Sequence, residues 1–262
     1  MQTLDAISKE TVGKLRGFLF DLDDTLLDHG RLLPEALAAL YRMREGGLEL
    51  FAVTGRPAGW GAVVAHQWPI DGAITENGAI ALVRSGERVL LDDPLDARSR
   101  SARRAQLMAV VEKLSEAHPE LEAADDTWQR ISDYTFDIGE HRQVDSEVVA
   151  RARATIHALG ATSTASSVHL HVSLDRADKA SGTVRVLSQL RGLDPSRVLS
   201  AYAFIGDSEN DAACFGAFRL TLGVRNLRGR PTLGPRFQTR GERAQGFIQA
   251  ADLLLARRAE LR

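Results

Sequence analysis

The sequence predicts an α/β fold in which a mostly parallel β-sheet, flanked by helices, is interrupted by a separate α+β insertion. Short apolar runs that end abruptly in polar loops are typical of buried parallel strands. Helix-length amphipathic segments alternate with such runs near both ends of the chain. The roughly 90 residues between these two regions follow a different pattern, and a connection of that length exceeds what a compact sheet uses.

The composition is that of an ordinary globular chain. Its 262 residues are 44% hydrophobic and 26% charged, which suffices for one elaborate domain or two modest ones with a large core. Basic and acidic residues nearly cancel, 33 against 35, for a formal net charge of −2. No global field therefore favours nucleic acid or an anionic membrane, and we expect a small-molecule partner. The oligomeric state is not indicated.

Cysteine usage and hydropathy bear on location. The single cysteine, Cys214, cannot form an internal disulfide, which is typical of a reducing compartment. No uncharged apolar run approaches the roughly 18 residues that a membrane span requires. Charged residues also interrupt the N-terminus from Asp5 onwards. We therefore expect a cytoplasmic protein without a membrane anchor.

A βαβ unit is predicted near the N-terminus. The apolar run at 17–20 predicts a buried strand. A helix is predicted over 34–45, because Pro34 suits the first helical position and two glycines follow its end. A second strand over 48–53 completes the unit, and Thr54-Gly55-Arg56-Pro57 leads into another helix.

The insertion follows a third strand at 70–74 and the Asn-Gly turn of Glu76-Asn77-Gly78-Ala79. Within it we predict a hairpin, two helices and two strands, at 80–91, 102–117, 146–159, 130–138 and 167–174. The α/β pattern resumes with a helix over 181–191, a strand over 201–205, a helix from Glu209 and a last helix over 245–258. We assign residues 1–80 and 176–262 to a core domain and residues 81–175 to the inserted domain.

Carboxylates follow the first buried strand, in Asp21-Leu22-Asp23-Asp24-Thr25. Ligands of open α/β sheets bind outside the carboxyl ends of the strands. Two acids one residue apart can divide labour, one attacking or holding a metal while the other donates a proton. Because buried carboxylates repel each other unless a cation neutralises them, Mg2+ is the expected companion. The alternative is an acidic turn that caps a helix.

A second acidic group follows the strand at 201–205, in Gly206-Asp207-Ser208-Glu209-Asn210-Asp211. Asp207 and Asp211 are four residues apart, so both can approach one ion if a helix begins between them. Helix capping by Asp207 or Ser208 is the alternative for either residue alone. Two strands thus deliver acids to one edge of the predicted sheet.

A hydroxyl and an ammonium lie between the acidic groups, at Thr54 and Lys179. The chain has four lysines beside 29 arginines, so a lysine that precedes a helix suggests a need for a compact cation. A transferring phosphoryl group needs such partners, because its charge is spread over oxygens that must be held and neutralised. For each residue alone, a turn former or a solvated surface residue is the more typical interpretation.

Taken together, these motifs resemble the haloacid dehalogenase (HAD) superfamily of phosphotransferases. The insertion and the turn at 76–79 are similar to subfamily IIB, which contains Cof-type, sucrose-phosphate and mannosyl-3-phosphoglycerate phosphatases. The resemblance implies a Rossmann-like core and an α/β cap that reads the leaving group. The acid at Asp23 favours phosphoryl transfer over dehalogenation. The sequence departs from the family at Ala180, where many relatives have glycine, and at Cys214-Phe215, and these departures concern packing more than chemistry.

The resemblance also implies roles for single residues. Asp21 would be the nucleophile that forms an aspartyl-phosphate, and Asp23 the general acid and base. The implied phosphate-binding residues are Thr54, Gly55, Lys179 and Asn210. The implied Mg2+ ligands are Asp21, the backbone carbonyl of Asp23, Asp207 and Asp211.

Residues that contact the leaving group are less well indicated. Arg56 follows the Thr54-Gly55 turn and suits a bidentate contact. His169 and His171 alternate on a predicted strand and so share one face, with ordinary packing as the alternative. Asn77, in the turn before the insertion, is the remaining candidate for contact with the leaving group.

We therefore expect a Mg2+-dependent phosphatase that hydrolyses the phosphomonoester of a sugar or a related small metabolite. A phosphosugar mutase of the same superfamily, or a sugar-phosphate-binding protein without catalysis, are the alternatives. The physiological substrate is not indicated.

Overall fold

The computed structural model describes residues 1–166, 168–227 and 231–261. Within these residues the strands, in chain order, are β1 (Gln2–Thr3), β2 (Gly17–Phe20), β3 (Glu49–Val53), β4 (Gly72–Thr75), β5 (Ile80–Ser85), β6 (Arg88–Asp92), β7 (Glu122–Ala123), β8 (Asp133–Asp137), β9 (Thr162–Ala165), β10 (His169–Ser173), β11 (Tyr202–Gly206), β12 (Leu220–Gly223) and β13 (Phe237–Gln238). The helices are α1 (Lys9–Gly13), α2 (Pro34–Glu45), α3 (Ala58–Gln67), α4 (Ala97–Ala117), α5 (Ser146–Ala158), α6 (Lys179–Arg191), α7 (Pro195–Ala201), α8 (Ala212–Ala217) and α9 (Arg243–Ala259).

The first sheet has nine strands in the order β1-β13-β12-β11-β2-β3-β4-β5-β6. Its central strands pair in parallel, whereas β5 and β6 form an antiparallel hairpin at one edge. All four residues of β2 are buried, as expected for a parallel strand covered on both faces. The predicted α/β class with a mostly parallel sheet is confirmed.

Helices cover both faces of this sheet. Phe18 and Phe20 of β2 pack in a cluster with apolar side chains of α2 and α9. Leu19, between them, faces the opposite layer and packs with residues of α6, α7 and α8. Successive side chains of a strand point to opposite faces, so β2 packs against both helical layers from the centre of the sheet.

The second sheet is antiparallel, with four strands in the order β7-β8-β10-β9. One face is apolar, and its Phe136, Leu170 and Val172 pack with α4 and α5. The alternate residues, which include Asp133, His169 and His171, lie on the other face. That polar face is the one that contacts loops of the first sheet, as the contacts below show.

Most predicted elements are present with shifts of a few residues. The structure differs at the hairpin of 80–91, which belongs to the first sheet although it was predicted in the insertion. Strand β5 pairs with β4, because apolar residues on both of its faces are buried, Ala81 and Val83 on one and Ile80 and Leu82 on the other. The division into a core of 1–80 and 176–262 and an insertion of 81–175 stays a prediction.

Two further differences have local causes. Helix α4 begins five residues before its predicted start, since the Asp96 carboxylate accepts a hydrogen bond from the Ser99 amide and caps it. The helix predicted from Glu209 begins as a single tight turn and continues only through α8. Ser167, the first residue of a predicted strand, lies outside the described residues. None of the described helices is both long and apolar enough to cross a bilayer.

Candidate active site

Two acidic loops meet at the carboxyl edge of the first sheet. Strands β2 and β11 are parallel neighbours, with Phe20 in register with Ile205. Asp21 and Asp207 follow directly after these strands, so the pairing brings their loops side by side. Both residues are buried. The convergence expected from the motif positions is therefore present.

Lys179 lies between the two loops. It occupies the first turn of α6, which the Asp178 side chain caps, and it is fully buried. Its Nζ donates to Asp21 Oδ1 at 2.7 Å and to Asp211 Oδ1 at 2.7 Å. Although burial lowers it, the two carboxylates raise the pKa of Lys179 overall. The ammonium thus stays charged and links both acidic loops.

Asp211 is oriented by its own loop. Its Oδ2 accepts hydrogen bonds from the amides of Asp207 at 2.9 Å and Ser208 at 3.1 Å. A Cβ added at Gly206 would collide with this carboxylate, so glycine at that position lets Asp211 fold back over the strand end. These contacts hold the Asp211 carboxylate in one orientation at the site.

The buried charges do not balance. One oxygen each of Asp21, Asp207 and Asp211 lies within 4.8 Å of the others, and Lys179 is the one cation bonded to this trio among the described residues. Burial raises the pKa of Asp21 to about 7, against the effect of the Lys179 ammonium. Burial and the nearby carboxylates raise the pKa of Asp207 to about 9. Three hard oxygen donors with excess negative charge fit a divalent cation such as Mg2+.

The side chain of Asp23 does not join this trio. Arg56 donates to its carboxylate through Nε, at 3.1 and 3.0 Å, and through Nη2, at 2.6 Å. The guanidinium also lies over the Trp60 ring, 4.2 Å from its centroid. Arg56 was predicted to contact substrate, and in this structure it holds Asp23 through a bidentate ion pair.

The loop after β3 forms the floor between the sheets. The Thr54 hydroxyl is buried and accepts a hydrogen bond from the Arg56 amide at 3.1 Å. A Cβ added at Gly55 would lie 3.2 Å from Asn77 Oδ1 and 3.2 Å from His171 Cε1. The absence of a side chain at Gly55 therefore lets the second sheet approach the acidic loops closely.

Four side chains of the second sheet and its neighbouring loops lie where this sheet comes close to Gly55. His171 Nδ1 lies 2.8 Å from Asp133 Oδ2, and burial lowers the pKa of His171. Arg130 contacts Asp133 at 3.0 Å and donates to the Gly55 carbonyl at 2.9 Å. Burial opposes it, but Arg130 and His171 lower the pKa of Asp133 to about 2. His169 is held separately, at 2.8 Å from Glu140.

These contacts leave a small cavity of about 30 Å³ at the acidic loops. Of the predicted residues, the structure brings the following to its lining: Asp21, Asp23, Gly55, Arg56, His169, His171, Asp207 and Asn210. Thr54, Lys179 and Asp211 lie behind them. Asn77 lines a neighbouring cavity, where its Oδ1 accepts no hydrogen bond from the described residues.

A larger cavity of about 630 Å³ opens beside the first. The two share residues from both sheets' loops, namely Asp23, Arg56, Val168 and His169. The size is within the range of small-molecule sites. A ligand in the larger cavity therefore reaches Asp23 directly.

Sequence analysis missed Glu76, which joins the two sheets. Its buried carboxylate accepts hydrogen bonds from the Ala58 amide on one side and from the Ile131, Ser132 and Asp133 amides on the other. The Ser132 hydroxyl also donates to it, at 2.7 Å. The acidic residue before the Asn-Gly turn carried no signal of these contacts, because every donor but one comes from residues more than fifty positions away.

Comparisons with known proteins agree with this architecture. A family model described as haloacid dehalogenase-like hydrolase matches residues 18–128. A crystal structure of a Thermoplasma acidophilum protein aligns with 18% identity, covering 92% of this chain and 98% of that one, at a TM-score of 0.73. No match was found among curated proteins.

Two solved phosphatases also share the fold. A sucrose-phosphatase from Synechocystis, solved with sucrose and phosphate, is 18% identical over 92% of this chain and 98% of its own, at a TM-score of 0.64. A sugar phosphatase of HAD subclass IIB is 17% identical over 90% and 98%, also at 0.64. The resemblance to the haloacid dehalogenase-like hydrolases is therefore confirmed, by the family model over part of the chain and by the fold over nine-tenths of it.

Proposed function

We propose that the protein is a Mg2+-dependent phosphatase that hydrolyses a phosphomonoester of a sugar or related small metabolite through an aspartyl-phosphate. The observation that carries this proposal is the position of Lys179, whose ammonium binds Asp21 and Asp211 at 2.7 Å each beside the Asp207 carboxylate. The Lys179 ammonium holds the Asp21 carboxylate in place as a nucleophile. The ammonium can also neutralise a phosphoryl group, and the carboxylates around it can bind a cation.

In the first step, an oxygen of Asp21 attacks phosphorus while the bond from phosphorus to the ester oxygen breaks. Lys179 holds Oδ1 of Asp21, and Oδ2 accepts no hydrogen bond from the described residues, so Oδ2 is the oxygen able to attack. Asp23 donates its proton to the departing oxygen, which leaves as an alcohol. The product is an acyl phosphate on Asp21.

In the second step, water hydrolyses the acyl phosphate. Asp23, now a carboxylate, accepts a proton from water while the water oxygen bonds to phosphorus. The bond from phosphorus to the Asp21 oxygen breaks, which releases inorganic phosphate and restores the Asp21 carboxylate. Arg56 donates hydrogen bonds to both oxygens of the Asp23 side chain. This ion pair supports the assignment of Asp23 as the group that accepts the proton in this step.

Asp21, Asp207 and Asp211 would hold the Mg2+, which supplies positive charge to the phosphoryl oxygens. The remaining positive charge comes from Lys179. Asn210 supplies an amide at the cavity lining, and its implied phosphate-binding role rests on that placement. The Thr54 hydroxyl is buried behind the lining and accepts a hydrogen bond from the Arg56 amide, so its implied role rests on the resemblance alone.

The test is phosphate release from a panel of sugar phosphates, polyol phosphates and nucleotides, with and without Mg2+. We expect metal-dependent release in the wild type and at least about a thousandfold loss in Asp21→Asn, since removal of a nucleophile eliminates the covalent route. Asp252→Asn, an exposed change on α9, is the matched control and should retain activity. Undiminished release by Asp21→Asn would contradict the proposal.

A further inference from the structure

His171 of β10 lies at the small cavity of about 30 Å³, together with Asp21, the proposed nucleophile, and Asp207 of the proposed metal site. The larger cavity of about 630 Å³ lies beside it, and His171 is not part of that cavity's described lining. Because the transferred phosphoryl group must bond to Asp21, it has to occupy the small cavity. Of these two cavities, His171 therefore borders the one that receives the phosphoryl group and not the one open to a leaving group.

The imidazole ring of His171 turns one edge towards the small cavity. Its Nδ1 lies 2.8 Å from Asp133 Oδ2, and Asp133 is not part of the described cavity lining. A Cβ added at Gly55, which does line the cavity, would lie 3.2 Å from Cε1 and 3.3 Å from Nε2 of His171. Nε2 makes no hydrogen bond to the described residues. A residue that is only 3% exposed thus presents an unpartnered nitrogen to the site.

Asp133 determines which nitrogen of His171 carries a hydrogen. Arg130 Nη1 donates to both oxygens of Asp133, at 3.0 and 3.2 Å. Although burial opposes them, Arg130 and His171 lower the pKa of Asp133 to about 2, so its ionised carboxylate only accepts hydrogen bonds. Nδ1 therefore carries the hydrogen of the neutral ring, and Nε2 is the nitrogen that gains or loses a proton.

The charges beside His171 favour one more proton when an anion is bound. Arg130 is paired with two carboxylates, those of Asp126 at 2.8 Å and Asp133 at 3.0 Å, so this group carries one net negative charge. Burial lowers the pKa of His171 in the free protein, although Asp133 acts in the other direction. A phosphoryl group that faces Nε2 places a further anion beside the ring, which favours its protonated form.

We propose that His171 is a catalytic residue that binds the transferred phosphoryl group through Nε2, with Asp133 as its positioning residue. One proton lies between Nε2 and a phosphoryl oxygen. It arrives with the monoanion of the phosphomonoester, or from solvent when the dianion binds, and it leaves when inorganic phosphate dissociates. The second sheet thus takes part in phosphoryl transfer itself. This inference rests on the proposed phosphatase activity.

Two substitutions separate the two nitrogens of His171. In His171→Asn the amide nitrogen can take the place of Nδ1 beside Asp133, but no atom reaches the position of Nε2. In His171→Gln the longer side chain carries its amide to about the position of Nε2, whereas the contact with Asp133 is lost. A residue that only supports packing predicts the higher activity for His171→Asn, and a phosphoryl contact predicts it for His171→Gln.

Phosphate release is measured in Mg2+ with p-nitrophenyl phosphate, whose leaving group departs without a proton, and with the best substrate of the panel described above. We expect His171→Asn to lower kcat by about a hundredfold or more with both substrates, and His171→Gln to retain at least about ten times the kcat of His171→Asn. His66→Asn, at an exposed site of α3, is the control and should match the wild type. A loss confined to the panel substrate would mean that His171 contacts the leaving group, and would overturn the proposal.

A double-mutant comparison tests the positioning role of Asp133. In Asp133→Asn the amide oxygen can still accept a hydrogen bond from Nδ1, but the negative charge is lost. We expect kcat to fall by about tenfold in this variant, and to fall no further in the double variant with His171→Asn than in His171→Asn alone. A double variant whose loss equals the product of the two single losses would show that Asp133 does not act through His171.

Binding of inorganic phosphate separates this inference from the proposed function, because it requires no turnover. It is measured calorimetrically in the presence of Mg2+, and we expect the Kd of His171→Asn to be about tenfold higher than that of the wild type. If this difference is found but no compound releases phosphate, the phosphatase proposal fails and the phosphate contact of His171 is supported. Wild-type Kd and kcat in His171→Asn would overturn this inference alone. A wild type that binds no phosphate would overturn both.

Discussion

A single lysine links the two acidic loops, and its identity matters more than its charge. Lys179 is sealed between Asp21 and Asp211, where an ammonium reaches two oxygens from one point. The planar guanidinium of arginine is larger and presents its donors as a fork. In a chain with 29 arginines, this position has one of only four lysines, which is consistent with a steric requirement for the smaller cation.

Lys179→Arg is therefore expected to lower kcat/KM by about a hundredfold or more, because the carboxylates must move apart to admit the guanidinium. Lys179→Met should instead lower the free energy of unfolding by about 3 kcal/mol, since it leaves two buried carboxylates without their cation. Phosphate release and denaturant unfolding measure the two effects. Lys113→Arg and Lys113→Met, at an exposed site of α4, are the controls. Wild-type activity in Lys179→Arg would contradict this account.

The excess negative charge of the buried carboxylates leads to a second prediction, which concerns Asp207. No hydrogen bond to its carboxylate is present among the described residues, whereas Asp21 and Asp211 lie within 4.8 Å. Asp207→Asn should raise the melting temperature of the metal-free protein by about 3 °C, the effect of about 1 kcal/mol in a chain of this size. The same change should remove the stabilisation by Mg2+ that we expect in the wild type.

The melting temperature is measured in EDTA and at increasing Mg2+ concentration. Asp252→Asn, on the surface of α9, should behave like the wild type in both conditions. A lower melting temperature for metal-free Asp207→Asn would show that the carboxylate stabilises the fold, contrary to the prediction. An unchanged response of this variant to Mg2+ would exclude Asp207 as a ligand of the proposed metal site.

Asp133 gives a pH-dependent prediction. Although burial acts in the other direction, Arg130 and His171 lower its pKa in the folded protein to about 2, below the value of about 4 expected in the unfolded chain. A depressed carboxylate pKa stabilises the fold above the unfolded value, and that stabilisation is lost as the pH falls from about 4 towards 2. Its size is about 2 kcal/mol.

The stability difference between wild type and Asp133→Asn should therefore be largest near pH 6 and should shrink by about 2 kcal/mol towards pH 2. Urea unfolding across this range provides the measurement. Asp145→Asn, at the exposed N-terminus of α5, serves as the control and should show a smaller change. A difference that does not vary with pH would mean that Asp133 is not ionised in the folded protein.

At the scale of the elements, the turn after β4 is the main connection between the two sheets. Its three residues, Glu76, Asn77 and Gly78, all have positive φ, a backbone region that only glycine adopts without strain. Five donors converge on the Glu76 carboxylate, from Ala58 and from residues 131–133. These hydrogen bonds fix the side chain and offset the strain of the turn.

Glu76→Gln should lower the free energy of unfolding by about 3 kcal/mol, because an amide nitrogen cannot accept the hydrogen bonds that one carboxylate oxygen receives. Denaturant unfolding measures the loss, and Glu87→Gln in the exposed turn between β5 and β6 is the control. Activity should fall as well, since the second sheet would lose its position over the acidic loops. Equal stabilities of the two variants would contradict this role for Glu76.

Local signals account for which elements could be predicted. Pro34 and the two glycines after Glu45 mark both ends of α2, and the apolar runs of β2 and β11 end where carboxylates begin. No local signal states which sheet the hairpin of β5 and β6 joins, because its apolar residues would suit either core. Strand β12 is short and was not predicted.

For the molecule as a whole, features of the site that follow from local signals could be predicted, and features that depend on distant segments could not. The convergence of Asp21, Asp207 and Asp211 follows from one general rule, that parallel strands present their carboxyl ends at a common edge. The pairing of Asp23 with Arg56 depends on the conformations of two loops of the first sheet. The pairing of Glu76 with the amides of 131–133 depends on how one sheet docks on the other. Such docking is set by packing across distant segments, which no motif spacing records.

The strand order has a consequence for synthesis. Strand β2 lies at the centre of the first sheet, and one of its two neighbours is β11, which leaves the ribosome roughly 180 residues later. At translation rates of about 5–20 residues per second, that interval is about 10–40 s. All strands of the second sheet are synthesised during this interval, since the last of them, β10, ends at Ser173. The nascent chain therefore exposes the open edge of β2, in the middle of the future core, until Tyr202–Gly206 emerges to cover it.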